Sequence, residues 1–91
     1  MKEVNLRGGE VQSMAEVHRV FAEGLQFPDW YGGNLDALYD LLTAEGEEVR
    51  IVLWEEALLR QTLGARCRAL LRVLRDAAEE NENITLVFAG E

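Results

Sequence analysis

The chain has 91 residues with an apolar share of 48%, enough for one modest hydrophobic core and too little for two, so a single domain over residues 1–91 is expected. Nine basic against 17 acidic residues give a formal net charge of −8, which argues against a nucleic-acid ligand and for a basic partner. The lone cysteine, Cys67, cannot close an internal disulfide, Met1-Lys2-Glu3-Val4 does not begin a basic-then-apolar leader, and no apolar run approaches the roughly 18 residues of a membrane span; a soluble cytoplasmic protein with no membrane association is expected.

Residues 2 to 7 alternate, with Val4 and Leu6 apolar between polar neighbours, and read as a half-buried or edge strand. Gly8-Gly9 turns the chain. Ser13 followed by Glu16 is a capping box, and Met14, Val17, Val20 and Phe21 recur at helical spacing, predicting a helix from about 14 to about 24 that ends at Gly24. Phe27-Pro28-Asp29 cannot continue it, because proline lacks an N–H and restricts the residue before it.

Asn34 is a good N-cap for a second helix over about 35–44, with Leu35, Leu38, Leu41 and Leu42 on one stripe and acids on the opposite face. Gly32-Gly33 before it reads as a tight turn needing a positive φ. Val49 to Trp54 is an apolar, β-branched run broken only by Arg50, expected as a central strand buried on much of both faces. Glu55 to about Gln61 reads as a short helix closed near Gly64. A longer helix follows, with Cys67, Leu70, Leu71, Leu74 and Ala78 inward and Arg66, Arg68, Arg72 and Arg75 outward. Asn81 and Asn83 supply turn chemistry before a last strand, Ile84 to Phe88. Strand, two helices, strand, two helices, strand predicts an α/β fold: a three-stranded parallel sheet packed with about four helices.

The charge is unevenly spread. Between Arg19 and Arg50 there is no base, while Glu23, Asp29, Asp36, Asp40, Glu45, Glu47 and Glu48 fall there; a second acidic stretch after Arg75 holds Asp76, Glu79, Glu80, Glu82 and Glu91. Catalytic equipment is sparse. His18 is the sole histidine and reads as a packed structural residue, and Cys67 as a small hydrophobe on a helix stripe. Asp36 and Asp40, at i and i+4, lie on one helix face about 6 Å apart along the axis. Such a pair is ordinarily a solvated face. Here it has no compensating base, and Trp30 and Tyr31 precede it, an arrangement closer to a protein interface with aromatic anchors. A divalent-metal site is the rival, needing more converging acids, of which Asp76 is the obvious candidate.

The segment Trp30-Tyr31-Gly32-Gly33-Asn34-Leu35-Asp36-Ala37-Leu38-Tyr39-Asp40 closely resembles the signature of the barstar family, the intracellular inhibitors of small bacterial ribonucleases. The likeness extends over nearly the whole chain: the first strand, the first helix with His18, Val52-Leu53-Trp54, and Val73 to Ala77 before the last strand. It implies a plug, in which the second helix and the loop before it enter the active-site cleft of a basic, extracellular-type ribonuclease. On that likeness Asp40 takes the place of a phosphate, Asp36 and Asp76 meet bases on the rim, and Trp30, Tyr39 and Thr43 are further contact positions. Ala44-Glu45, Gly33, Trp30 and Tyr39 depart from the family's best-known member, which implies a different cognate enzyme. Occlusion needs no catalytic residue, cofactor or metal. The expectation is a non-enzymatic inhibitor, monomeric when free. The alternatives are an adaptor that binds a basic protein other than a nuclease, and a metal-dependent hydrolase using Asp36 and Asp40.

Overall fold

A computed structural model describes residues 1–90; Glu91, counted above in the second acidic stretch, lies outside the described residues. The elements run β1 (Lys2–Arg7), α1 (Met14–Leu25), α2 (Leu35–Thr43), β2 (Val49–Trp54), α3 (Glu56–Leu63), α4 (Ala65–Glu80) and β3 (Ile84–Ala89). All three strands are parallel in the order β1-β2-β3, with β2 central, giving the expected α/β fold of three strands and four helices.

Strand alternation builds the platform. Val4 pairs with Ile51 and Ile51 with Leu86; Leu6 pairs with Leu53 and Leu53 with Phe88, so these side chains share one face. Against that face the helices bury Phe21, Leu38, Leu42, Leu59, Leu70, Leu71 and Leu74 in one core. The opposite face of β2 is largely covered too, with only Arg50 exposed, as expected of the central strand. Val52 is buried there, outside the main hydrophobic cluster. Side chains of neighbouring strands shield the face: Trp54 Nε1 donates to Asn5 Oδ1 at 2.9 Å, and the Arg7 guanidinium sits 4.9 Å from the centre of the Trp54 ring.

Two helix details differ from the sequence expectation. Gly24 lies inside α1, and the left-handed C-cap is Gln26 at φ 55°, with its N–H on Ala22 O. Gly24 serves a close approach: a Cβ there would stand 3.1 Å from Val4 Cγ2, so its absence lets α1 settle onto β1. On α4 the fully buried alanine is Ala77, with Ala78 only half-buried. Arg66, Arg68, Arg72 and Arg75 are exposed as predicted.

Candidate functional site

The site is organised around α2, and both ends of that helix are fixed. Gly33 adopts φ 65°, as the tight turn required, and Asn34 Oδ1 then accepts from the Ala37 N–H at 2.8 Å. At the other end the carbonyls left over from the last turn need donors. Asn81, buried at the end of α4, supplies both amide hydrogens: Nδ2 donates to Leu42 O and to Glu45 O, each at 2.9 Å. Its Oδ1 accepts from the Asn83 N–H at 3.0 Å, and Asn83 Nδ2 reaches Glu45 O at 3.2 Å. The sequence assigned these asparagines to the turn before β3; their clamp on α2 acts across 39 residues and has no local signal.

With Leu38 and Leu42 buried against the core, the helical period turns Asp36 and Asp40 outward, and both are exposed. Tyr39 and Thr43 are half-buried beside them. The Thr43 hydroxyl donates to Tyr39 O at 2.9 Å, so it is engaged within the helix. Asp76 comes from α4 and is exposed. Desolvation pushes the Tyr39 phenol up, and the nearby charges of Glu80, Asp76 and Asp40 push it further. Glu80 was not among the residues picked out in the sequence; its place four residues after Asp76, on the same face of α4, was the available sign.

Trp30 stands 74% exposed in the loop before α2. The next residue anchors that loop. Tyr31 packs edge-on to Phe27 and bonds through its hydroxyl to Nδ1 of buried His18. His18 is therefore the packed residue the sequence suggested, and Cys67 is a fully buried free thiol pushed up by burial.

The electrostatics separate two kinds of acid. Glu45 and Glu47, part of the acidic stretch, are answered internally by Lys2, whose Nζ lies 3.2 Å and 3.4 Å from their carboxylates. Among the described residues, no ion pair involves Asp36, Asp40, Asp76 or Glu80. Nor do any three acidic, histidine or cysteine side chains among the described residues converge closely enough to hold a metal ion. The arrangement is an uncompensated anionic surface with a projecting aromatic, suited to a cationic protein cleft. No helix among the described residues is long and apolar enough to cross a membrane.

The family model described as Barstar (barnase inhibitor) matches residues 1–89. A curated relative from Bacillus subtilis (strain 168), named "Putative ribonuclease inhibitor YrdF", is 32% identical over 81 residues, covering 88% of this chain and 89% of its own.

Proposed function

The chain belongs to the barstar family, and from that premise we propose that it is a cytoplasmic, non-enzymatic inhibitor of a small basic ribonuclease, occluding the active site with α2 and the loop before it. The observation that carries this reading is the unpaired acidic face on α2, with exposed Asp40 flanked by Tyr39 and followed on α4 by Asp76 and Glu80. A ribonuclease cleft concentrates bases where RNA phosphates sit. A carboxylate entering it trades water for charge-assisted bonds to guanidinium groups. Asp40 is the central contact, Asp36 and Asp76 meet the rim, and Trp30, Tyr39 and Thr43 surround them.

The net charge of −8 steers a cationic enzyme from a distance, so association is fast and weakens with salt. Inhibition by occlusion asks nothing of the chain beyond shape and charge. The test is fluorogenic RNA cleavage by a panel of small bacterial ribonucleases, titrated with the protein and with Asp40→Ala at two salt concentrations. Stoichiometric, salt-sensitive inhibition lost in the variant is expected. Inhibition retained undiminished by Asp40→Ala would overturn the plug, and failure against every enzyme would favour an adaptor for a basic protein that is not a nuclease.

A further inference from the structure

The two edges of the sheet differ. β1 carries Lys2, Glu3 and Arg7, charges of the kind that make an edge strand a poor template for another chain. β3, Ile84-Thr85-Leu86-Val87-Phe88-Ala89, has no charge and no proline, and it pairs with β2 alone. The Val49 N–H donates to Asn83 O at 2.8 Å and the Glu55 N–H to Ala89 O at 3.2 Å. By the two-residue period of a strand, Thr85 and Val87 between them also face β2, while Leu86 and Phe88 turn their backbone N–H and C=O groups to the free edge.

The flanks of that edge mix apolar side chains with charged ones, Glu55, Glu56 and Arg60 among them. Phe88 is 43% exposed and borders a groove of about 640 Å³ shared with Leu58, itself 41% exposed. Toward the start of the strand, Ala78 and Leu86 line a second groove against α4. Two charges stand in it. The Arg75 guanidinium lies 5.6 Å from the centre of the Phe88 ring, and Glu79 is one helical turn further along α4, nearer Ile84. Neither forms an ion pair among the described residues.

We propose that the free edge of β3 is an interface for a second copy of this chain, with the two β3 strands antiparallel about a two-fold axis at Val87. Leu86 of each copy then lies opposite Phe88 of the other, and their outward N–H and C=O groups exchange two pairs of hydrogen bonds. A two-fold contact must be self-complementary, and the charges meet that condition. Reversing the second strand carries its Arg75 to the end where Glu79 stands, and Glu79 of the second copy to Arg75. This reciprocal pairing singles out a second copy over an unrelated strand. The net charge of −8 on each copy opposes association, but at about 0.15 M salt the Debye length of about 8 Å removes most of the long-range repulsion. Asp76 and Glu80 lie on the α2-facing side of α4, away from this groove, so the acidic site remains open in the dimer.

The inference is independent of the ribonuclease reading, because neither strand edge nor groove includes a residue of the acidic face. The sequence expectation of a monomer rested on the lack of an apolar stripe; which strand is an edge, and which backbone groups it leaves free, is set by topology. Sedimentation equilibrium over a concentration series tests it. A reversible shift to the mass of two copies is expected, strengthened by moderate salt where ribonuclease binding weakens. Phe88→Pro removes an outward N–H and the ring at the contact while leaving the bonds to β2 in place, and should give a folded monomer, checked by circular dichroism. Arg75→Glu and Glu79→Arg should each shift the equilibrium toward monomer, and the double exchange should restore it. Monomer mass at every concentration overturns the proposal. So does a dimer indifferent to both single charge reversals, which are surface changes and decide the matter even if Phe88→Pro fails to fold.

Discussion

The hydroxyl of Tyr31 lies 2.5 Å from Nδ1 of His18, tying the loop that carries Trp30 to α1. Burial raises the Tyr31 phenol to about 12, so it keeps its proton, while burial lowers His18 from its ordinary value of 6.5. The folded state thus favours neutral imidazole. As pH falls below 6.5 the unfolded chain takes up this proton first, so stability drops, and the loss is complete once pH passes below the depressed folded value. Thermal melts through that range should show a steeper fall in Tm for the parent than for His18→Gln. Equal slopes would remove His18 as the titrating group.

Asn81→Ala strips the 2.9 Å donors from Leu42 O and Glu45 O at the end of α2, leaving only the longer bonds from the Glu45 N–H at 3.3 Å and from Asn83 Nδ2 at 3.2 Å. Each lost hydrogen bond costs about 0.5–1.5 kcal/mol, and a domain of this size loses about 4–8 °C in Tm per kcal/mol. A drop in Tm of about 10 °C is expected by calorimetry. A change of a degree or two would mean the clamp is replaceable by water.

Trp30→Ala should separate binding from folding. The side chain is mostly in solvent, so stability should stay within about 0.5 kcal/mol of the parent. Affinity for the target enzyme, read by isothermal titration, should fall by about 2 kcal/mol if the ring is an interface anchor. Unchanged affinity would place Trp30 outside the contact.

Among the acids, Asp40→Ala should cost most, about 2–5 kcal/mol, expressed mainly as faster dissociation, with Asp36→Ala and Asp76→Ala costing less and acting mainly on the association rate. Charge pairs of the barnase–barstar type pair are among the measurements behind that principle, so the magnitude is carried over from the family. Stopped-flow kinetics at several salt concentrations check the order. A larger loss from Asp36→Ala than from Asp40→Ala would move the centre of the site one helical turn toward the N-terminus.

What the sequence made legible was whatever depends on near neighbours. Val4 and Leu6 alternate, Ser13 and Asn34 cap, Leu38 and Leu42 recur at helical spacing, and each element forms where those patterns place it. The Asp36 and Asp40 face followed directly, since one period sets both the buried stripe and its opposite. Contacts distant in sequence were not readable. Gly24 looked like a helix end because glycine often is one, yet its reason for being there is Val4 on another element. Asn81 carried no local mark of its bonds to α2.

The scaffold keeps what holds α2 apart from what α2 displays. Leu38, Leu42, Asn34 and Asn81 fix the helix, while Trp30, Asp36, Asp40 and Asp76 stand in solvent and hold nothing else in place. A lineage can therefore rewrite the displayed residues singly, following a drifting or newly met target, without having to solve the folding problem again. Recognition is written here in replaceable type.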